Sequence, residues 1–362
     1  MNRPSVSPKN ASGFSLVELL VASAITLIGL LVITQVFAAY EGWKRTTIGV
    51  AQGQEGGLLG AFSIEKDLRQ AGLGMIGLRC ATINAYNASA KTKTFTLNGM
   101  PVTITHLPGS SRDTINVLYS SSPFGNIVAT LQADAPLSSS PIEVDNGIGF
   151  SLGDLIVISQ PPNACSIVQL STDGQLTGKA NVTGPGVSWK LTHDPGGSVP
   201  WNPPVDQNIF PQTPSVGYIA GAKILNLGHL LEHTYYVHND MLRMDERNIA
   251  DASLTSFDLI PGVVGLRARY GRDTDNDGVL DLFDNDTADA ITKSQAADSG
   301  NTLDAIQFAL IVRSSKREKE LLSPASIAFW PGETLALDDE ARRYRYRVFQ
   351  TVVPLKNIIW NN

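Results

Sequence analysis

Residues 13–40 read GFSLVELLVASAITLIGLLVITQVFAAY, and this stretch decides what class of protein the chain is. Residues 19–40 carry no charge, and a helix of these 22 residues would be about 33 Å long. Because a hydrocarbon core is about 30 Å thick, the run is long enough to cross a membrane. The preceding residues carry Arg3 and Lys9 but no acid, which predicts an N-terminus inside and a C-terminus outside.

Glu18 is the unusual residue at the start of this run. A carboxylate that enters hydrocarbon costs on the order of 3 kcal/mol or more, which makes it a candidate functional residue that needs a cation. None of the 25 residues that follow Glu18 is basic. A secretory signal peptide has a shorter apolar run and no acid at this place, and a plain anchor leaves the acid unexplained. We therefore expect the cation to come from another chain.

Residues 13–20, GFSLVELL, resemble the leader junction of type IV pilins and pseudopilins. The resemblance implies that a prepilin peptidase cleaves after Gly13 and N-methylates the new terminal residue, Phe14. In that family the glutamate corresponding to Glu18 pairs with the terminal amine of a neighbouring subunit, so the resemblance implies an assembly role for Glu18. It also implies a single-pass inner-membrane protein that later joins a pilus at the cell surface.

The remaining sequence predicts one helix followed by a β-rich domain. Helical character continues to about residue 72, although several glycines weaken the helix by about 1 kcal/mol each relative to alanine. Beyond residue 80, short apolar runs alternate with turn residues and predict strands at 94–97, 115–119, 155–158, 234–237, 264–270, 306–312 and 344–353. The predicted organisation is a leader at 1–13, a helix at 14–72 that spans the membrane at 14–40, and an external domain at 73–362. Within that domain, 172–215 reads as a loop-dominated insertion.

Several later segments resemble PilW-type minor pilins, namely 65–72, 153–158, 235–237 with 242–243, and 347–357. This resemblance implies an α+β fold of the type IV pilin kind, with the long helix packed on an antiparallel sheet and a loop-rich β extension. It implies a structural minor pilin of type IV pilus assembly and initiation, acting in a tip complex, rather than an enzyme. The implied partners are the prepilin peptidase, other minor and major pilins, and a tip adhesin. A minor pseudopilin of a type II secretion system is the alternative within filament proteins.

An acidic loop at 273–284, DTDNDGVLDLFD, has the pattern of a calcium-binding loop. Aspartates occupy positions 1, 3, 5 and 9, a glycine occupies position 6, and position 12 is aspartate instead of the usual glutamate. Seven aspartates lie between 273 and 289 without one basic residue, which favours a bound Ca²⁺ over a solvated acidic turn. The predicted ligands are Asp273, Asp275, Asp277, the carbonyl of Val279, Asp281 and Asp284.

Cys80 and Cys165 are the two cysteines of the chain. Outside the inner membrane the compartment is oxidising, so we predict a disulfide between them. The sequence leaves open the alternative of two buried thiols, since it does not give the distance between them.

Two motifs raise an alternative of another class, a membrane-tethered periplasmic hydrolase. The sequence His229-Leu-Leu-Glu232-His233 spells the H-x-x-E-H pattern of zinc peptidases, which requires a helix, but the residues that follow predict a strand. Residues 149–153 spell G-x-S-x-G around Ser151, which requires a helix after the serine, but a strand is again predicted. We therefore expect no catalytic site.

Arg343, Arg345 and Arg347 alternate along a predicted strand and so share one face. A basic stripe beside aromatic residues can bind nucleic acid, but the net charge of −6 gives no electrostatic reason to expect such binding. We therefore interpret the stripe as a solvated strand face, with docking onto an acidic neighbour as the alternative.

Overall fold

A computed structural model describes residues 15–74, 83–86, 101–107, 109–122, 128–172, 175–177, 188–196, 199–213, 216–275, 277–285 and 303–359. The predicted leader 1–13, Phe14, Cys80 and the predicted strand 94–97 lie outside these residues. The described residues form one long apolar helix and many strands, most of them antiparallel. The predicted α+β class is therefore confirmed.

Helix α1 spans Leu16–Gln70, 55 residues, and ends close to the predicted boundary. Among the described residues it is the one helix long and apolar enough to cross a membrane. The chain divides into two compact units, residues 1–52 and 53–362. The helix therefore begins in the first unit and ends in the second.

The strands of the described residues are named in chain order. They are β1 Ile83–Ala85, β2 Val102–Thr105, β3 Thr114–Ser120, β4 Val128–Thr130, β5 Ile142–Val144, β6 Leu155–Ser159, β7 Cys165–Gln169, β8 Gln175–Thr177, β9 Ser188–Leu191, β10 Lys223–Gly228, β11 Leu230–His238, β12 Met241–Asn248, β13 Leu254–Pro261, β14 Val263–Arg272, β15 Leu282–Asp284, β16 Leu303–Arg313, β17 Ser326–Trp330, β18 Glu333–Ala336 and β19 Tyr346–Pro354. A 3₁₀ helix at Ala341–Arg343 precedes β19, and the short helix α2, Lys356–Ile359, follows it.

These strands form several sheets, whereas the resemblance implied one antiparallel sheet behind the helix. The strand orders are β1-β7-β6-β10-β4, β13-β12-β11-β3-β2, β15-β14-β16-β19, β5-β9-β8 and the hairpin β17-β18. Strands β1 and β7 run parallel, and the other paired strands are antiparallel. The predicted loop-dominated insertion at 172–215 contributes β8 and β9, which join β5 in the three-stranded sheet.

The largest core of the second unit lies between the end of α1 and two of these sheets. Ile64 and Leu68 of α1 are fully buried, and their spacing of four residues places them on one face of the helix. They belong to one cluster with alternate residues of β3 and β16, such as Ile115 and Phe308. Burial of this helical face is what fixes the last turns of α1 to the β-rich unit.

Two glycines near the C-terminal end of α1 stand where strands closely approach the helix. A Cβ atom added to Gly57 would lie 2.0 Å from Cε2 of Phe349 on β19. A Cβ added to Gly60 would lie 3.1 Å from Cδ2 of Leu242 on β12. The glycine-rich stretch, which by propensity alone weakens the helix, therefore provides the space into which the sheet packs.

The C-terminal end of α1 is closed by a glycine and by the C-terminal segment of the chain. Gly72 has a φ of +75°, the left-handed conformation that follows many helices, and the N–H of Leu73 donates to the carbonyl of Gln70 at 2.9 Å. The side-chain amide of Asn357 on α2 donates to the carbonyl of Ala71 at 3.0 Å. Residues near both ends of the unit thus meet at the end of the helix.

Candidate functional site

Glu18 lies in the first turn of α1, where it caps the helix. Its carboxylate accepts a hydrogen bond from the backbone N–H of Ser15 at 3.0 Å. The hydroxyl of Ser15 in turn accepts from the N–H groups of Val17 and Glu18, at 3.2 and 3.5 Å. This reciprocal S-x-x-E arrangement is a capping box, and it fixes the carboxylate at the start of the apolar run.

The apolar side chains of the first unit are exposed around the whole helix. Ile25 and Leu27 are 65% and 66% exposed, and Val32, Ile33 and Phe37 are similarly exposed. A helix that is apolar all round is stable only when lipid or other helices cover it. The N-terminal helix therefore fits membrane anchoring, in agreement with the prediction for 14–40.

The acidic loop connects β14 to β15, and the two strands hold its ends together. Arg272 pairs with Leu282, and the N–H of Asp281 donates to the carbonyl of Arg272 at 2.9 Å. Gly278, at the predicted sharp turn, has a φ of +87°, which favours glycine. The loop therefore lies between strands, as the sequence predicted, and not between the two helices of an EF-hand.

Three of the predicted ligands are grouped in this loop. Carboxylate oxygens of Asp273, Asp275 and Asp281 all lie within 4.8 Å of one another. Such a set of oxygen donors suits a hard cation such as Ca²⁺.

Backbone N–H groups hold the carboxylates of the loop in place. The N–H of Gly278 donates to Oδ2 of Asp273 at 2.7 Å, and Oδ2 of Asp281 accepts from both the N–H and the hydroxyl of Thr274 at 2.9 Å. The N–H of Asp277 lies 3.3 Å from Oδ1 of Asp275. These bonds fold the loop around its own acidic side chains.

The electrostatics of the loop reflect this crowding of negative charge. The N–H of Asp277 lowers the pKa of Asp275, but partial desolvation and the charges of Asp277, Asp281 and Asp273 outweigh it and raise the pKa overall. The two hydrogen bonds from Thr274 lower the pKa of Asp281. A bound cation would favour the ionised form of Asp275 by offsetting these charges.

The remaining predicted ligands make other contacts than the group of three. Asp284 on β15 forms an ion pair with the fully buried Arg272, with 3.1 Å between Oδ2 and Nε. Oδ1 of Asp277 accepts from the N–H of Val279 at 2.8 Å, and the side chain of Val279 is exposed. The position 12 carboxylate is therefore engaged with an arginine, outside the group of three.

Cys165 is fully buried on β7. Its strand neighbour in the parallel pair is Ile83 of β1, three residues after Cys80 in the chain. Three residues of chain span at most about 11 Å, so this pairing is compatible with a disulfide between Cys165 and Cys80. Cys80 itself lies outside the described residues, so the disulfide stays a prediction.

The two hydrolase motifs lie on strands in the structure. Glu232 and His233 are adjacent on β11 and point to opposite sides, since Glu232 pairs with Arg247 at 3.4 Å and His233 is buried against the helix. His229 is exposed before the strand. Ser151 is followed by β6 instead of a helix. Neither motif therefore has the secondary structure that its chemistry requires.

The arginine stripe is largely ion-paired. Arg343 belongs to the 3₁₀ helix and lies 3.3 Å from Glu340, and Arg345 lies 4.0 Å from Glu318. The predicted strand begins two residues later than expected, at Tyr346. Arg343 and Arg345 therefore precede the strand, and the three arginines do not share one strand face as predicted.

Comparison with known protein families finds two matches. The model of the prokaryotic N-terminal methylation motif matches residues 8–34, and that of type IV pilus-assembly protein W matches residues 234–357. The second match extends from β11 into α2 and includes the acidic loop. No curated protein and no solved structure matches the chain.

The match to the N-terminal methylation motif, at the start of a long apolar helix, places the chain among type IV pilin-like proteins. The match over 234–357 adds that the chain is a PilW-like member of this class, which confirms the resemblance predicted from the sequence.

Proposed function

We propose that the chain is a minor pilin with the type IV pilin architecture that takes part in assembly and initiation of a type IV pilus, within a tip complex. The match to type IV pilus-assembly protein W over 234–357 carries the proposal, and the methylation motif over 8–34 supports it. The chain would enter the inner membrane once, with its N-terminus inside, and lose residues 1–13 to a prepilin peptidase. Other minor and major pilins and a tip adhesin would be its partners.

Glu18 is the residue proposed to guide docking. In a membrane its exposed carboxylate needs a cation, and the 25 residues that follow it contain none. Cleavage after Gly13 would create a new amine on Phe14, and the amine of a neighbouring chain would supply the positive charge. Glu18 also has a second role, because the same side chain completes the capping box of its own helix.

Two substitutions separate these roles. Glu18→Gln keeps a side chain that can complete the capping box but removes the charge. Glu18→Ala removes both. If the charge guides docking, both variants abolish most surface piliation, counted by electron microscopy, while immunoblots show normal leader cleavage.

The matched control is Glu41→Gln, which removes an exposed carboxylate from the same helix. Glu41 lies 3.9 Å from Arg45 of its own chain, so loss of its charge leaves docking unaffected. Normal piliation with Glu18→Gln would refute the pairing role. Normal piliation together with defective protein secretion in a gene deletion would favour the alternative, a type II secretion pseudopilin.

We propose further that the loop at 273–284 binds Ca²⁺ and that it stabilises the external domain. The grouped oxygens of Asp273, Asp275 and Asp281 support this, as do the crowded negative charges. Because Asp284 is paired with Arg272, we expect water to complete the coordination and the affinity to be weak, about 10⁻⁴ to 10⁻³ M, as in extracellular modules.

Calcium titration of the full chain in detergent tests this site. Millimolar Ca²⁺ should raise the Tm, and Asp275→Asn should abolish the shift. Asp206→Asn, which changes an exposed aspartate elsewhere, should leave the shift intact. An identical response of the Asp275→Asn variant and the wild type would remove the proposed site.

We also propose that Cys80 and Cys165 form a disulfide, on the basis of the pairing of Ile83 with Cys165. The denatured chain should then contain no titratable thiol before reduction and two after it. Two thiols in the unreduced protein would contradict the bond.

A further inference from the structure

A cluster of polar side chains is buried where the end of α1 meets the sheet of β3, β11 and β12. His233 of β11 lies at its centre, with Nδ1 2.5 Å from Oδ2 of Asp67 on α1 and Nε2 2.9 Å from Oε2 of Glu246 on β12. Tyr235 donates its hydroxyl to the same Oδ2 of Asp67 at 2.5 Å. The hydroxyl of Tyr119 on β3 lies 3.2 Å from Nε2 of His233.

The geometry determines the charge of the histidine. Ionised carboxylates only accept hydrogen bonds, so a histidine with one carboxylate at each nitrogen must donate from both. A neutral imidazole donates from one nitrogen only, and the other carboxylate would then face a lone pair. The imidazolium form of His233 is therefore the one that satisfies Asp67 and Glu246 together.

Burial of His233 and Asp67 makes the charge of the histidine important for stability. The side chains of His233 and Asp67 are 8% and 7% exposed, whereas that of Glu246 is 40% exposed. A buried ion pair contributes little by itself, but a buried carboxylate left without its partner is strongly destabilising. Loss of a proton from His233 would remove the positive charge beside the buried Asp67, which would keep only neutral donors such as the hydroxyl of Tyr235.

We propose that Asp67, His233 and Glu246 form a pH-sensitive clasp that holds the last turns of α1 to the sheet while His233 is protonated and weakens when it is not. Asp67 is the one member on the helix, and it lies between the core residues Ile64 and Leu68. Weakening of the clasp would therefore loosen the helical part of the second unit first.

The surrounding groups are consistent with a single titration. In the described residues, the ionisable groups that contact His233 are Asp67 from α1, Tyr119 from β3 and Glu246 from β12, and Tyr235 from its own strand contacts Asp67. Burial lowers the pKa of His233, but the hydrogen bonds to Asp67 and Glu246 and their charges outweigh this and raise it above its usual 6.5. Burial also raises the pKa of both tyrosines, so they stay neutral at moderately alkaline pH.

The direction of the pH effect follows from the raised pKa. The folded state holds the proton more tightly than the unfolded state, so the stabilisation is complete below about pH 6.5 and is lost as the pH rises through the folded-state pKa. The loss amounts to a factor of about ten in the unfolding equilibrium for each unit by which the pKa is raised.

Hydrogen exchange on the full-length chain in detergent micelles tests the clasp. Peptides covering residues 61–74 are measured by mass spectrometry between pH 6 and pH 9 and corrected for the intrinsic pH dependence of exchange. In the wild type their protection should fall as the pH rises. In His233→Gln it should be low throughout and insensitive to pH.

Two further variants keep the test decisive. Glu246→Gln removes the more exposed carboxylate, so the protein should fold, and the fall in protection should move to lower pH because the histidine loses one of its anions. His229→Gln removes an exposed histidine near the same strand and should behave like the wild type. Protection that is independent of pH in the wild type, or a midpoint unchanged by Glu246→Gln, would overturn the proposal.

Discussion

The two halves of α1 obey opposite packing rules although they form one continuous helix. In the first unit Ile25 is 65% exposed, and a Cβ added to Gly29 would meet nothing within 4 Å. In the second unit Ile64 is fully buried, and a Cβ added to Gly57 would overlap the ring of Phe349. Residues 19–40 of the first half thus present an apolar surface to their surroundings, whereas the second half presents a shaped face to the chain's own sheets.

This difference shows that the same residue type has different consequences along one helix. Isoleucine is exposed in the first half of the helix and belongs to the protein core in the second. Glycine is only a weak helix former in the first half, whereas in the second it makes room for a strand. Matched substitutions of the same residue type, one in each half of the helix, test this difference.

The largest difference in stability between the two halves is expected for substitutions of isoleucine. Ile64→Ala should lower the free energy of unfolding of the second unit by about 2–5 kcal/mol, because it leaves a cavity in a closed core. Ile25→Ala should change it little, since Ile25 has no core to leave. Urea unfolding of the full chain in detergent, followed by tryptophan fluorescence, measures both. Equal losses would show that the two halves are packed alike.

A smaller difference is expected for glycine. Gly57→Val should destabilise the second unit by about 1–3 kcal/mol, because the ring of Phe349 must shift to admit the side chain. Gly29→Val should be neutral or slightly stabilising, because valine is the better helix former and meets no neighbour. The same unfolding experiment measures both variants. An unchanged free energy of unfolding in Gly57→Val would mean that β19 can pack on the helix without a glycine at this position.

The smallest effects are expected at the two helix ends. Asn357→Ala should cost about 0.5–1.5 kcal/mol of unfolding free energy, because it removes the donor to the carbonyl of Ala71. Ser15→Ala should instead increase hydrogen exchange in the first turn without affecting unfolding of the second unit. The control for the first change is Asn285→Ala, which replaces an exposed asparagine. A global loss of stability in Ser15→Ala would contradict the separation of the two ends.

Local patterns were predicted well from the sequence. The apolar strands at 115–119, 155–158, 234–237, 264–270 and 306–312 lie in β3, β6, β11, β14 and β16, and α1 ends within two residues of the predicted limit. The acidic loop also lies between strands as predicted. Such features depend on residues that are near neighbours in the chain, and their periodicity and turn residues can be read directly.

Long-range contacts were missed for the opposite reason. Asp67 and His233 are 166 residues apart, and nothing in the sequence pairs them. One signal was present: an acid between Ile64 and Leu68, on the buried face of a helix, requires a partner. Likewise Asp284 follows the calcium-loop pattern, and only the pairing of β14 with β15 brings it to Arg272.

Three features follow from the sequence alone, namely the membrane-length apolar run, the match to the methylation motif and the resemblance to pilins. These are encoded in contiguous residues, whose hydrophobicity and charge act wherever the rest of the chain lies. The tertiary structure decided which face of α1 is buried, why Gly57 is a glycine, and that His233 is held between Asp67 and Glu246. Those properties arise only when distant strands close on the helix, because burial and charge pairing depend on neighbours in space.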